Sequence, residues 1–152
     1  MKAVIIEDED IIARVLQGKI KNVDPSIDVV EIIPSLKVAK KWFLNNAEPD
    51  ILFMDIQLSD GVSFELLEHF KLNCPIVFTT AYDEYAIRAF KVNGVDYLLK
   101  PVDEDELTRA IDKCKAIITV EEHSVNGGLG EACASWLLQN GYAKPFKIMG
   151  IP

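Results

Sequence analysis

The sequence predicts a doubly wound α/β domain built on a parallel β-sheet. Short apolar runs rich in Val and Ile alternate with amphipathic stretches from the first residues to about Lys115. Within each run, consecutive residues are apolar, so both faces of the predicted strand are apolar. This is typical of strands in a sheet that is covered on both faces. A single helical stretch separates consecutive runs, and this strand–helix–strand order indicates parallel pairing.

Five strands and five helices follow one another in this part of the chain. The predicted strands cover residues 3–6, 28–33, 51–54, 76–79 and 95–99, and the predicted helices cover residues 10–21, 36–45, 64–70, 82–92 and 104–115. Helix-start signals support two of these assignments. Ser35 can cap the second helix, and Asp103 with Glu106 three residues later is a capping-box-like start for the fifth.

Beyond the fifth helix the alternation restarts. Residues 116–120 are predicted as a strand, 128–140 as a helix and 145–151 as another strand. The fifth helix can then be the crossover to a sixth parallel strand beside strand 95–99, which gives the sheet order 2-1-3-4-5-6. We expect this added strand to cover the outer edge of strand 95–99.

Length and composition exclude several classes of protein. The 152 residues have room for one domain, or for one domain and a fragment too short to fold alone. A net charge of -8, with scattered Lys and Arg, argues against a surface for duplex DNA. No apolar run reaches the roughly 18 to 20 residues of a membrane span. No signal peptide is visible, so we expect a cytoplasmic protein, with Cys74, Cys114 and Cys133 as buried thiols.

Polar residues with complementary chemistry follow the predicted strands. Glu7 and Asp8 follow the first strand, Asp55 the third, Thr80 the fourth and Lys100 the fifth. In a doubly wound sheet the carboxyl ends of the strands form the ligand-binding crevice. Such residues also occur as simple polar ends of strands, but four complementary residue types at four strand ends favour a site.

The chemistry of this cluster points to phosphoryl transfer. Carboxylates a few Å apart repel one another, and a hard divalent cation with oxygen ligands, Mg2+ above all, removes that repulsion. Asp55 can then act as the nucleophile toward phosphorus. Lys100 and the Thr80 hydroxyl can stabilise the phosphoryl oxygens.

Three motifs in this chain resemble the receiver domain of two-component response regulators. They are Ile5-Ile6-Glu7-Asp8-Glu9, Met54-Asp55-Ile56 and Leu99-Lys100-Pro101. Residues 78–90 and 96–101 are most similar to receivers of regulators with a LytTR-type DNA-binding output. The resemblance covers residues 1–117 and implies a flavodoxin-like sheet of order 2-1-3-4-5. It also implies a sensor histidine kinase as partner and no independent substrate turnover.

The resemblance assigns a role to each matching residue. Asp55 is the implied phosphoacceptor. The implied Mg2+ ligands are Glu7, Asp8, Asp55 and the backbone carbonyl of Gln57. Thr80 and Lys100 are implied to contact the phosphoryl group, and Tyr97 occupies the aromatic switch position. The peptide bond before Pro101 is implied to be cis.

Two departures from the family pattern affect the metal site. Many relatives carry a proline in the loop after the phosphoacceptor, where this chain has Leu58-Ser59-Asp60-Gly61. Asp60-Gly61 preserves the turn, but we expect a looser loop. Glu7 replaces the more common aspartate and adds a methylene, so its metal contact is expected to run through water.

Thr80 and Tyr97 lie on adjacent predicted strands, which suggests how phosphorylation is transmitted. In this hypothesis Thr80 moves toward the phosphoryl oxygens and Tyr97 turns into the space vacated. The surface formed by helix 82–92, strand 95–99 and helix 104–115 then changes. Receivers often dimerise through this surface, so a homodimer is expected unless the sixth strand covers it.

Residues 118–152 resemble a different family. Glu121-Glu122-His123, Gly127-Gly128-Leu129-Gly130 and Ile148-Met149-Gly150-Ile151 are similar to part of the C-terminal domain of transketolase-type enzymes. We therefore predict a strand–helix–strand fragment and a chimeric chain, whether natural or engineered. No catalytic role or cofactor site is implied, because the thiamine diphosphate chemistry of that family lies mainly in domains that this piece does not include.

Two other interpretations stay open on the sequence alone. One is an inert α/β scaffold with a vestigial receiver site, and the other is a nucleotide-binding or transketolase-related enzyme. Gly128-Leu129-Gly130 matches part of a dinucleotide fingerprint, but Cys133 stands at the third glycine position and a structural turn is favoured. His123 is interpreted as a solvated residue and not a metal ligand.

Overall fold

The computed structural model describes residues 1–81 and 94–123, with the backbone alone for residues 116–123. Predicted helix 82–92 and the predicted elements after residue 123 lie outside the described residues. The chain divides into two compact units, Met1–Ala110 and Ile111–Pro152. The first unit contains all five residues predicted to form the site at the strand ends, which are Glu7, Asp8, Asp55, Thr80 and Lys100.

The described part of the chain alternates strands and helices as predicted. The strands are β1 Lys2–Ile6, β2 Asp28–Ile33, β3 Ile51–Asp55, β4 Gln57–Leu58, β5 Gly61–Val62, β6 Ile76–Thr80 and β7 Gly94–Leu99. The helices are α1 Asp10–Val23, α2 Leu36–Asn45, α3 Phe64–His69 and α4 Glu104–His123. The short β4–β5 hairpin was not predicted.

The main sheet has five parallel strands in the order β2-β1-β3-β6-β7. This is the predicted order 2-1-3-4-5. The predicted fourth and fifth strands are β6 and β7 here, because the β4–β5 hairpin is counted between them and β3. In the register of the sheet Asp55 lies beside Thr79, and Thr80 beside Leu99. The carboxyl ends of the three strands therefore lie side by side at one edge of the sheet.

The central strands form the core of the domain. Every residue of β3 and of β6 is buried, which confirms that the sheet is covered on both faces. On one face a buried cluster joins the sheet to helices α2 and α3, and Phe64 of α3 packs against Phe78 of β6 with ring centroids 5.4 Å apart. This rigid centre holds the ends of β3 and β6 in place.

The strand predicted for residues 116–120 is wrong, because these residues continue helix α4 to His123. The β-branched residues of this run favour a strand locally. However, the apolar spacing of Leu107, Ala110, Ile111 and Cys114 carries on to Ile118 with the period of a helix, and the helix prevails. The sheet order 2-1-3-4-5-6 is therefore also wrong. The expected boundary at residues 117 and 118 falls inside a helix.

Several smaller predictions are confirmed. The Ser35 hydroxyl accepts a hydrogen bond from the Val38 N–H at 3.2 Å, and the Asp103 carboxylate accepts one from the Glu106 N–H at 3.1 Å. Cys74 and Cys114 are buried, while Cys133 lies outside the described residues. Within the described residues, no helix has the length and apolar character needed to span a membrane.

Candidate functional site

The predicted cluster forms at the carboxyl ends of four strands. Glu7 and Asp8 follow β1, Asp55 ends β3, Thr80 ends β6 and Lys100 follows β7. All five residues line one cavity of about 570 Å³. The order of the parallel strands thus brings together residues that are up to 93 positions apart in the chain.

Three carboxylates dominate one side of the cavity. Glu7, Asp8 and Asp55 each present an oxygen within 4.8 Å of the oxygens of the other two. Glu7 is 2% exposed and Asp55 is 5% exposed, while Asp8 is half-buried. Carboxylates so close together, and so far removed from water, need positive charge nearby.

Lys100 supplies part of that charge. Its Nζ donates to Glu7 Oε2 at 2.5 Å and to Asp55 Oδ2 at 2.8 Å. Burial by itself would lower the pKa of Lys100, but the hydrogen bonds and charges of Asp55 and Glu7 outweigh burial and raise this pKa. The lysine is therefore a fixed cation between two carboxylates. Its peptide bond to Pro101 is cis, the isomer that the resemblance implies.

The charged form of Glu7 is disfavoured by its surroundings. Burial raises its pKa from 4.5 to about 7, and the charge of Asp55 acts in the same direction. Hydrogen bonds from Lys100 and from the Glu9 N–H, the latter at 3.1 Å, act in the opposite direction and do not overcome burial. Below about pH 7, Glu7 therefore keeps a proton that an ordinary carboxylate would have lost.

Replacement of Glu7 by glutamine is expected to remove one component of the pH dependence of stability. Between pH 4.5 and about 7 the folded protein binds a proton on Glu7 that the unfolded chain has released. Through this group the free energy of unfolding decreases as the pH rises across that window. Glu7→Gln lacks the decrease, which amounts to roughly 2 to 3 kcal/mol.

Urea unfolding of both proteins at about pH 5 and about pH 8, with a metal chelator present, measures this difference. Glu9→Gln is the matched control, because Glu9 is an exposed neighbour and its variant should follow the wild type. Parallel pH dependences for the wild type and Glu7→Gln would contradict the prediction.

The other predicted residues lie at the cavity or one strand away from its centre. Gln57 lines the cavity, and its N–H donates to Asp55 Oδ1 at 3.2 Å. Thr80 is fully buried, and its carbonyl accepts a hydrogen bond from the Lys100 N–H at 2.8 Å. Tyr97 on β7 pairs in register with Phe78 and is partly buried against the core.

The loop after Asp55 contains a residue whose role the sequence did not indicate. The sequence predicts only that Asp60 forms a turn with Gly61. In the structure Asp60 also accepts hydrogen bonds from the Leu36 and Lys37 N–H groups at 2.9 and 3.1 Å. Gly61 has a φ of 143°, a conformation that favours glycine. The loop that we expected to be loose is thus tied to the start of helix α2.

The donor set of this cavity fits Mg2+. Its ligand atoms are carboxylate oxygens, which hard cations prefer, and their spacing of less than 4.8 Å suits a shared ion. A divalent cation would balance the negative charge that remains beside Lys100. Glu7, Asp8 and Asp55 are the residues that could hold it.

Comparison with known protein families matches most of this chain. The model of the response regulator receiver domain matches residues 3–112. The sensory transduction protein LytT of Enterococcus faecalis is 38% identical over 113 residues, which cover 72% of this chain and 46% of that protein. LytT of Bacillus subtilis is 33% identical over 135 residues, 84% of this chain and 55% of that protein. The chain spans about half the length of these curated relatives.

Solved structures share the fold. The response regulatory domain of protein mrkE from Klebsiella pneumoniae is 32% identical, with a TM-score of 0.63, over 76% of this chain and 95% of that one. The N-terminal domain of a response regulator/sensory box/GGDEF protein from Carboxydothermus hydrogenoformans is 26% identical, with a TM-score of 0.66. That match covers 81% of this chain and 100% of the other.

Proposed function

Because this chain belongs to the response regulator receiver domain family, we propose that it accepts a phosphoryl group on Asp55 in a Mg2+-dependent reaction. The observation that carries the proposal is the contact of Lys100 Nζ with Asp55, 2.8 Å long, inside the cluster of three carboxylates. Lys100, together with a cation held by the carboxylates, would attract the phosphoryl oxygens to the nucleophile. The donor is proposed to be the phosphohistidine of a sensor histidine kinase.

The proposed step exchanges one bond to phosphorus for another. An oxygen of Asp55 forms a bond to phosphorus, while the bond from phosphorus to the donor's imidazole nitrogen, or to the oxygen of a small acyl phosphate, breaks. The leaving group keeps the electron pair and, in the case of imidazole, takes up a proton. Lys100 stays close to the phosphoryl oxygens, because its hydrogen bond to Asp55 already places it there.

Glu7, Asp8, Asp55 and the backbone carbonyl of Gln57 are the proposed Mg2+ ligands. When bound, the ion neutralises negative charge on the phosphoryl oxygens as they approach the carboxylates. Incubation of the protein with acetyl phosphate, with Mg2+ or with a chelator, tests the proposal by intact mass. One added phosphoryl group only in the presence of Mg2+ is the expected result. No addition under either condition would favour the inert scaffold.

Phosphorylation is proposed to act through Thr80 and Tyr97. A phosphoryl group adds about 1.5 to 2 negative charges and three acceptor oxygens next to the buried Thr80 hydroxyl. To bring an active arrangement from 1:99 to even population takes about 2.7 kcal/mol, which two charge-assisted hydrogen bonds can supply. Movement of Thr80 opens space for Tyr97 on the neighbouring strand and changes the surface around β7.

The same surface is proposed to form a phosphorylation-dependent homodimer. Among the described residues strand β7 is an edge of the five-stranded sheet, and Leu99 at its end is 45% exposed. We expected residues 116–120 to cover this edge as a strand, but they are helical, so that reason for a monomer no longer applies.

Thr80→Ala is expected to accept the phosphoryl group and to dimerise at least about tenfold more weakly than the phosphorylated wild type, since it lacks one charge-assisted hydrogen bond. Light scattering of the phosphorylated proteins measures this. Thr79→Ala is the control. Thr79 also lines the cavity and is as buried as Thr80, but adjacent strand residues face opposite sides of the sheet. Equal dimerisation of phosphorylated wild type and Thr80→Ala would contradict the switch.

A further inference from the structure

We propose that Asp60 is a positioning residue, which holds the loop after Asp55, and with it Gln57, at a fixed place relative to the end of β1. The inference rests on the proposed function, in which Gln57 and the β1 end share one Mg2+ ion. Asp60 itself does not line the cavity. Its effect on the metal site therefore passes through the loop.

The contact of Asp60 with helix α2 is a bridge between distant parts of the chain. The first N–H groups of a helix have no partner within the helix. Here the two Asp60 oxygens accept from the Leu36 and Lys37 N–H groups, and the Ser35 hydroxyl accepts from the Val38 N–H. The Leu36 hydrogen bond is the main reason that the pKa of Asp60 is lowered, so its carboxylate is charged at neutral pH.

The loop that carries Asp60 is a closed unit. Strand β4 pairs with strand β5, so that Gln57 lies opposite Val62, and the Ser63 N–H donates to the Ile56 carbonyl at 2.7 Å. A Cβ added to Gly61 would lie 3.0 Å from Leu36 Cδ1, so the tip of the hairpin packs directly on α2. Displacement of this tip therefore displaces Gln57 at the other end of the same hairpin.

The start of α2 is in turn fixed to the acidic end of β1. The Glu7 N–H donates to the Ile33 carbonyl at 3.0 Å, and Ile33 ends the strand that leads into α2. A series of contacts thus leads from Glu7 through Ile33 to Leu36 at the start of α2. From Leu36 it continues through the Asp60 carboxylate and the β4–β5 hairpin to Gln57. In this series of contacts, Asp60 supplies the hydrogen bonds between the hairpin and helix α2.

Mg2+ affinity of the unphosphorylated protein, measured by calorimetry, tests the inference without requiring phosphorylation. Asp60→Ala is expected to bind Mg2+ about tenfold more weakly than the wild type, as is typical when a group that orients a metal ligand is removed. Asp60→Asn keeps one acceptor oxygen and should fall between the two. At saturating Mg2+ the rate of phosphorylation by acetyl phosphate should return toward the wild-type rate.

Ser35→Ala is the matched control. It removes a hydrogen bond from the same first turn of α2 but leaves the tie between the helix and the hairpin. If Asp60 only caps the helix, Asp60→Ala and Ser35→Ala will bind Mg2+ alike, and the inference is overturned while the proposed function stands. If Asp60→Ala does not fold, the Mg2+ affinity of Asp60→Asn is compared with that of Ser35→Ala instead. A wild type that neither binds Mg2+ nor takes up phosphoryl would overturn both.

Discussion

Replacement of Asp55 by asparagine is expected to abolish phosphoryl incorporation from acetyl phosphate in the presence of Mg2+. The amide has the shape of the carboxylate but is a poor nucleophile toward phosphorus, so the covalent step has no acceptor. The fold should persist, because the asparagine oxygen can still accept from the Gln57 N–H and Lys100 keeps its contact with Glu7. Intact mass of the two proteins after equal incubation is the measurement.

Asp50→Asn is the matched control for this prediction. Asp50 immediately precedes the same strand that Asp55 ends, and it is exposed and accepts a hydrogen bond from the Lys2 N–H. Its variant should gain one phosphoryl group like the wild type. A phosphoryl adduct on Asp55→Asn would place the phosphoacceptor elsewhere in the chain and would contradict the prediction.

The fold and the cluster were predictable because their signals are local. Each buried strand is a continuous apolar run, and helix α2 was predicted with the bounds that it has, from its serine cap and its apolar period. The strand order came from the resemblance to the receiver family, because the apolar pattern predicts a parallel sheet but not the order of its strands. Once the order is known, the residues that follow each strand must meet. This is why Glu7, Asp8, Asp55, Thr80 and Lys100 could be assigned to one site from their positions alone.

The features that were missed depend on partners far away in the chain. Asp60 caps a helix 24 residues before it, and nothing in the sequence near Asp60 indicates that contact. The pKa of Glu7 follows from burial that only the assembled strands create. In the case of residues 116–120, two local signals compete, and the continuing helix outweighs the β-branched composition. Short apolar runs next to a helix are ambiguous for this reason.

Replacement of Lys100 by methionine is expected to lower the free energy of unfolding by about 3 kcal/mol at alkaline pH without Mg2+, since it leaves ionised, buried Glu7 and Asp55 without their cation. Methionine keeps most of the side-chain volume, so the loss reports charge rather than a cavity. At about pH 5 the loss should shrink, because Glu7, with its raised pKa, is then protonated. Urea unfolding at the two pH values measures both effects.

Addition of Mg2+ separates the electrostatic cause from a packing defect. Under the proposed function the ion binds the folded site and not the unfolded chain, so it should stabilise Lys100→Met by mass action and recover part of the loss. Lys19→Met is the matched control, because Lys19 lines the same cavity but donates to the Val102 carbonyl, and its loss should cost about 1 kcal/mol. A loss for Lys100→Met that changes with neither pH nor Mg2+ would mean that the lysine stabilises the domain through its packing and not through the two carboxylates.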